Sequence, residues 1–269
     1  MKMNRIFKYL LFPLAVFSNS GAFAQSKDLV NEENKLIGIH NQINSRPNLS
    51  VGSRYDTLAF NHDSIEYFVA ALDREFTSLI TGNPKTIDYP FDKLVDSHIC
   101  KITTSVDGNM RVYNLDSWLL LTEIYQWKGS GKVFTKVSRY QKDSTGLCRE
   151  IFAVPVKGKR YYLPVTSTII WPSHAMQSVA AWRINGSNLE AVTLFKNRVE
   201  KLNHIDVPFS FYNFAPKIKD SLLSFISYDD VQKKIYIPCV NDKGVFTQRY
   251  FIYELKNDCL EFTNTGLHH

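Results

Sequence analysis

Closely spaced turn signals constrain the fold of this chain more than any other feature of its sequence. Beyond Ser97 the signals are Asp107-Gly108, Lys128-Gly129-Ser130-Gly131, Asp143-Ser144-Thr145-Gly146, Lys157-Gly158, Asn185-Gly186, Asp229-Asp230, Asp242-Lys243-Gly244 and Asn257-Asp258. They recur about every ten to twenty residues, and β-branched and aromatic residues fill the segments between them. This spacing is typical of antiparallel strands joined by hairpins. We therefore predict a dozen or so strands in this part of the chain.

The chain before Ser97 has helical character instead. In residues 63–81 the apolar residues recur at three- and four-residue spacing, and Asp63 with Glu66 forms a capping box at the start. A less regular helix is predicted over residues 27–44, and a short one begins near Pro90. Because these helices bury too little to form their own core, we expect the helix over 63–81 to cover one face or end of the sheet.

The predicted fold class is therefore α+β and β-dominated. A helical N-terminal region, residues 25–97, packs on a long antiparallel β-meander, residues 98–264. We expect the two parts to form one domain, because they would share a core. The meander forms a barrel or a sandwich, and propeller-like blades are the alternative.

The first 24 residues have the features of a secretory signal peptide. Lys2, Arg5 and Lys8 precede an apolar run over residues 9–17, and Ala22-Phe23-Ala24 provides a small-residue cleavage site. A bilayer-spanning helix needs about 20 apolar residues, so an uncleaved N-terminal anchor is the weaker alternative. We expect cleavage after Ala24, a periplasmic or secreted protein, and no transmembrane segment after cleavage.

The charge pattern argues against a nucleic-acid partner. The whole chain has 32 Lys and Arg against 26 Asp and Glu, and residues 1–24 hold three of the positive charges and no negative ones. The mature chain would then carry a net charge of +3. Its basic residues are scattered among carboxylates, so no stripe follows a phosphate backbone. The sequence does not indicate an oligomeric state.

The run TTSVDGNMRVYNLDSW is the first candidate site. Asp107-Gly108 favours a tight hairpin, whose central residues would both need positive φ. Residues alternate across a strand, so Arg111 and Tyr113 share one face, where they would form a polar surface able to hold a carboxylate or a sugar. The alternative is structural: Arg111 pairs with Asp107 or Asp116.

A second candidate site lies in the loop IIWPSHAMQ. Trp171 and His174 put a ring and an imidazole within four residues, which suits an aromatic platform or a general base. The alternative is that Trp171 fills the core and His174 faces water.

Asp229-Asp230 is interpreted as a turn, because a glycosidase needs its two acids on opposite sides of a cleft.

Two resemblances bear on the fold. The residues from Ser105 to Tyr113 resemble the last hairpin of a WD-type propeller blade, but a propeller should repeat it about every 40 residues and one copy is visible. The same run also resembles part of a group of secreted proteins of unknown function from Bacteroidetes-type bacteria. Three further segments share this resemblance: YYLPVTSTIIW, SVAAWRINGSNLE and ISYDDVQKKIYIPCVNDKGVFTQRYFIYEL. This resemblance covers roughly residues 95–262 and implies an exported, β-rich protein with no established activity. In that group a Trp-Asp pair follows the turn, whereas here Tyr113-Asn114 precedes Asp116.

Several catalytic and metal-binding motifs are absent from the sequence, and the four cysteines are interpreted separately. The sequence has no nucleophile elbow, zinc-protease helix, Cys-x-x-Cys, phosphate-binding glycine loop or calcium loop, so no cofactor or metal site is predicted. Isolated buried thiols are favoured for the four cysteines over a bond between Cys100 and Cys148, and the geometry of a meander argues against a bond between Cys239 and Cys259.

The leading hypothesis is an exported binding or interaction protein for a glycan or peptide, with Asp107, Arg111, Tyr113, Trp171 and His174 as candidate ligand-binding residues. Tryptophans 118, 127, 171 and 182 would suit stacking on sugars. One alternative is a carbohydrate-active hydrolase in which folding brings together distant carboxylates such as Asp107 and Glu123. Another is a structural, envelope-associated protein without a small ligand.

Overall fold

The structure is a computed structural model that describes residues 20–44, 58–117, 120–141, 146–170, 174–210 and 224–267. It confirms the predicted fold class, because a few helices pack on several antiparallel sheets. The helices are α1 (Ser20–Asn44), α2 (Leu58–Gly82), a 3₁₀ helix (Pro84–Ile87) and α3 (Asp92–Asp96). Within the described residues, no helix is both long and apolar enough to cross a membrane.

The strands follow the helices, and most of them are joined in sequence by tight turns. They are β1 (Cys100–Thr104), β2 (Met110–Ser117), β3 (Leu120–Gly129), β4 (Lys132–Gln141), β5 (Gly146–Val156), β6 (Lys159–Ile170), β7 (His174–Ala180), β8 (Trp182–Asn185), β9 (Asn188–Ala191), β10 (Phe195–Lys196), β11 (Lys201–Leu202), β12 (His204–Ser210), β13 (Ser227–Asp229), β14 (Lys234–Val240), β15 (Phe246–Lys256) and β16 (Cys259–Leu267).

These strands form three sheets, and no described sheet closes into a barrel. The first sheet is the meander β1-β2-β3-β4, and the second has the order β12-β7-β6-β8-β9, with β5 also paired to β6. The third has the order β11-β10-β16-β15-β14-β13. All described pairings are antiparallel except the two-residue contact between β10 and β16. Of the barrel, the sandwich and the propeller-like blades that the sequence left open, the described sheets are consistent with the sandwich.

The helical region covers one face of the first sheet, as expected. Phe76 and Ile80 of α2 lie in one buried cluster with Tyr113, Leu115 and Ile124 of the sheet. On the opposite face of the sheet, a second cluster includes side chains of β2 and β3 together with residues of β5 and β6. The first sheet is thus a middle layer, and a third cluster fills the space between the second and third sheets.

Three helix starts differ from the prediction, and the first is that of α1, which begins at Ser20 and not at residue 27. Helix α2 begins at Leu58, so Asp63 lies inside the helix and is not its N-cap. The segment from Leu58 to Asp63 contains no Gly or Pro, so nothing in it stops the helical backbone. Pro90 precedes α3, whose N-cap is Phe91 with a φ of 57°, and the proline at a helix start is instead Pro84.

All four cysteines are free thiols, as the sequence favoured. Cys100, Cys148 and Cys259 are buried, and Cys239 is half-buried. Burial raises the pKa of the Cys100 and Cys148 thiols well above the usual range, so neither is an activated nucleophile.

Candidate functional site

Asp107 lies in the turn between β1 and β2 and holds that turn together. The Ser105 hydroxyl donates to Asp107 at 2.7 Å, and Arg160 and Tyr162 of β6 donate to it at 2.7 and 2.9 Å. Partial burial raises the pKa of Asp107, but these hydrogen bonds outweigh it and hold the pKa well below its usual range. Asp107 is therefore a permanently ionised structural carboxylate.

The hairpin was predicted correctly, but its turn type was not. The Gly108 amide donates to the Ser105 carbonyl at 2.8 Å, so Val106 and Asp107 are the central residues of the turn. Gly108 follows them with a φ of 67°, whereas the φ of Asp107 is not positive. This is a longer hairpin loop that places Gly at its left-handed position.

Arg111 and Tyr113 share a face of β2, but that face is buried beneath the helical region. The expected polar surface is therefore wrong. Arg111 Nη1 donates to the carbonyl oxygens of Thr86, Ile87 and Tyr89 at 2.9, 2.9 and 2.6 Å. The Tyr113 hydroxyl donates to the Thr86 carbonyl at 2.7 Å. Both side chains fasten the 3₁₀ helix and the residues after it to the sheet.

The second candidate site is partly described. Trp171 lies outside the described residues, and His174 is the first residue of β7. His174 is exposed and lines a groove of about 550 Å³ between β12 and the hairpin that joins β14 to β15. Asp107, Arg111 and Tyr113 do not line this groove, so the structure does not bring the five predicted residues together.

The groove has an apolar base and a polar rim. Its apolar lining consists of Ile205, Val207, Pro208, Phe209, Ile237, Pro238, Val240 and Phe251. Its exposed polar lining includes His174, Asp206, Asn241, Asp242 and Lys243. Val207, Phe209 and Ile237 are buried, whereas Phe251 keeps 43% of its surface exposed. A concave apolar surface with a few polar groups at its edge is the usual form of a ligand site.

One end of the groove is fixed by a close backbone contact. The Ser210 amide donates to the Gly244 carbonyl at 2.8 Å and ties β12 to the β14–β15 hairpin. Gly244 has a φ of 71°, and a Cβ there would lie 2.8 Å from the Ser210 nitrogen. Only glycine fits this position. The sequence marks Asp242-Lys243-Gly244 as a turn but carries no signal that this turn borders a groove.

The aromatic residues near this end form a packed cluster. The ring of Phe225 lies 4.3 Å from that of Phe246, and Phe209 lies 4.9 Å from Phe246, measured between ring centroids. Phe209 and Phe225 pack edge to face at 5.8 Å. These contacts support the base of the groove from one side.

The described tryptophans do not form a sugar platform. Trp127 is only 3% exposed and stacks on Phe134. Trp182 is half-buried, and Lys136 lies 4.9 Å above its ring. Trp118 and Trp171 lie outside the described residues.

Glu123 of β3 is a buried acid. It is 5% exposed, and burial raises its pKa to about 7 despite hydrogen bonds with Tyr125 and Asn114. Glu123 lies four residues from Trp127, which pairs with Met110 beyond the Asp107 turn. The Asp107 turn is therefore at least about 13 Å from Glu123 along the sheet. The two carboxylates of the hydrolase hypothesis are not brought together.

Two other predicted features can be placed. Asp229 accepts hydrogen bonds from the amides of Val231 and Gln232, both at 2.8 Å, and Asp230 pairs with Lys233 at 2.7 Å. This acid pair forms a turn, as expected. Within the described parts of the chain, no three His, Cys, Asp or Glu side chains are placed to hold a metal ion.

Comparisons of the chain with protein-family models, with curated proteins and with solved structures give no match. A function for this chain therefore has to be inferred from the geometry of its own residues.

Replacing Arg111 tests whether it is a structural residue. Arg111→Met removes the hydrogen bonds that the guanidinium donates to the carbonyls of Thr86, Ile87 and Tyr89, so the free energy of unfolding should fall by about 3 kcal/mol or more. Urea denaturation measures this change. Arg74→Met, which removes a 66% exposed guanidinium from α2, is the control and should change stability little. Equal stability of both variants would contradict the structural role.

The buried Glu123 predicts a dependence of stability on pH. Its folded pKa of about 7 exceeds the ordinary value of 4.5, so the fold favours the protonated form. The resulting stabilisation is complete below the ordinary value and is lost as the pH rises through about 7, a change of roughly 3 kcal/mol. Glu123→Gln should remove this loss, whereas Glu200→Gln, at an exposed position, should keep it. Denaturation at a series of pH values measures the slopes, and parallel slopes for all three proteins would refute the assignment.

Proposed function

We propose that this protein is an exported ligand-binding protein and that the groove between β12 and the β14–β15 hairpin binds a peptide segment. The observation that carries the proposal is the combination of a buried apolar base with an exposed polar rim. Burial of an apolar side chain supplies affinity in such a site, and rim groups fix the orientation of the ligand.

A peptide suits the groove better than a glycan. The apolar lining is mostly aliphatic, and Phe251 is the exposed ring beside it. Sugar sites depend on exposed aromatic rings that stack on the sugar, and the two described tryptophans are packed against Phe134 and Lys136 instead. The rim combines acidic residues with Lys243 and His174, which suits the mixed donors and acceptors of a peptide backbone.

The strand beside the groove also favours an extended ligand. β12 is the last strand of its sheet and lines the groove from Ile205 to Ser210. Extended peptides commonly dock beside an edge strand, with alternate side chains entering pockets. The hydrolase alternative receives less support, because Glu123 is enclosed and Asp107 stays ionised at the far end of the sheet.

The proposed signal peptide is compatible with the packing of the helical region. Cleavage after Ala24 would shorten α1 by its first five residues, Ser20–Ala24. The buried positions Leu29, Leu36 and Ile43 all lie after the cleavage site. The mature chain would therefore keep every described contact that α1 makes in the helical cluster.

Peptide binding can be measured with a pool of end-capped, fluorescently labelled hexapeptides of mixed sequence. Fluorescence anisotropy should identify binders, and Phe251→Ala should weaken their binding at least about tenfold because it removes the exposed ring beside the groove. Tyr67→Ala is the matched control, since Tyr67 is an aromatic residue of α2 that is 65% exposed.

Three results would contradict this proposal. The first is the absence of any binding peptide, and the second is equal binding by both variants. The third is binding of neutral oligosaccharides in place of peptides, which would favour the glycan alternative.

Export can be tested by producing the full chain in a Gram-negative bacterium. Intact-mass measurement of the periplasmic and medium fractions should find a mature chain that begins at Gln25. Deletion of the apolar run over residues 9–17 should leave full-length protein in the cytoplasm. Full-length, uncleaved protein in the cytoplasm of cells that express the unaltered chain would overturn the assignment.

A further inference from the structure

A second polar site lies where β5 crosses the first sheet. The Thr103 hydroxyl of β1 donates to the Cys148 carbonyl at 2.9 Å, and the Cys148 amide donates to Asn114 Oδ1 at 2.9 Å. These bonds fasten the start of β5 to the sheet face that lies opposite the helices. Lys101 pairs with Asn114 and shares this face with Thr103.

Arg149 is placed at this crossing by a break in the strand register. Cys148 pairs with Thr166 and Glu150 pairs with Val165, so Arg149 between them has no cross-strand partner. This is a β-bulge, a feature that redirects a side chain and that is common beside functional sites.

The guanidinium of Arg149 has no hydrogen-bond partner. All three of its nitrogens are shielded from solvent and unpaired in the described structure, although the residue as a whole is only half-buried. A shielded guanidinium carries five fixed donors, so leaving them unpaired is costly. Shielded polar groups without a partner are rare in native proteins and require an explanation such as a bound ion.

Lys101 adds a second positive charge to the same place. Burial lowers the pKa of Lys101, and the charge of Arg149 lowers it further. Burial also lowers the pKa of Arg149, to about 10, so the Arg149 guanidinium remains protonated at neutral pH. Among the described residues, no carboxylate contributes to the pKa of either cation. Among the described residues, no carboxylate forms an ion pair with either cation, although Glu123, the cross-strand neighbour of Asn114, lies at the same crossing.

We propose that Lys101 and Arg149 form a binding site for a doubly charged oxyanion of the phosphate type. Neither cation has a carboxylate as an ion-pair partner among the described residues, and the planar guanidinium of Arg149, which is unpaired there, matches two oxygens of a phosphate. Binding requires the side chain of Arg149 to rotate, because its nitrogens are shielded from solvent in the described structure. The phosphate group is either a free ion or a monoester carried by a larger molecule.

This site is separate from the proposed peptide groove. Strand β12 pairs with β7, β7 pairs with β6, and β6 pairs with β5. Arg149 is thus three strand spacings, about 14 Å, from β12. Failure of one proposal leaves the other intact.

The test uses inorganic phosphate and phenyl phosphate with the mature chain. Isothermal titration should show saturable binding at constant ionic strength, and both Arg149→Gln and Lys101→Gln should weaken it at least tenfold. The control Lys159→Gln removes an exposed lysine at the start of β6 and should bind like the unaltered protein. Tighter binding of phenyl phosphate than of inorganic phosphate would identify a monoester as the preferred source, and the reverse would identify the free ion.

Thermal unfolding without phosphate provides a second readout. Arg149→Gln should unfold at a temperature equal to or above that of the unaltered protein, because it removes an unpaired shielded charge, and phosphate should raise the unfolding temperature of the unaltered protein only. If Arg149→Gln does not fold, Lys101→Gln carries the comparison. Absence of binding, or equal binding by the unaltered protein and both site variants, would overturn the proposal.

Discussion

The contact between Arg111 and the carbonyls after α2 joins the two halves of the molecule. The helical region meets the first sheet through a turn whose carbonyl oxygens point inward, and one buried guanidinium donates hydrogen bonds to three of them. The Tyr113 hydroxyl and the Gln126 amide complete this network with Thr86. Buried polar networks of this kind specify one packing arrangement, because each unpaired group would cost more than an exposed one.

The opposite face of the same sheet depends on a second polar contact. Asn114 uses its side chain to bind the backbone of β5, so the second sheet is held against the first at that point. Glu123 is the cross-strand neighbour of Asn114, and it is buried there with a raised pKa. The crossing also places Lys101 near the Arg149 bulge. The packing of the two sheets thus brings together Lys101, Glu123 and Arg149, whose pKa values are all shifted by burial.

The sequence predicted local structure well where a short-range rule applied. The turn pairs marked the hairpins, the spacing of apolar residues marked α2 up to Gly82, and alternation placed Arg111 and Tyr113 on the same face. It predicted the candidate site less well. Of the five residues proposed to bind a ligand, His174 lines the groove, while Asp107, Arg111 and Tyr113 serve the hairpin and the helix-to-sheet contact.

The sequence by itself determined that the chain beyond Ser97 is rich in strands, where it turns and that Arg111 and Tyr113 share a face, because these features follow from the two-residue period of a strand and from turn chemistry. Only the tertiary structure decided which face each sheet buries. That choice depends on what packs against the face: α2 and the 3₁₀ helix cover Arg111, whereas β5 covers Asn114. The groove and the Lys101–Arg149 site also depend on the tertiary structure. Each combines residues that are far apart in the sequence, and a local sequence pattern cannot relate such residues.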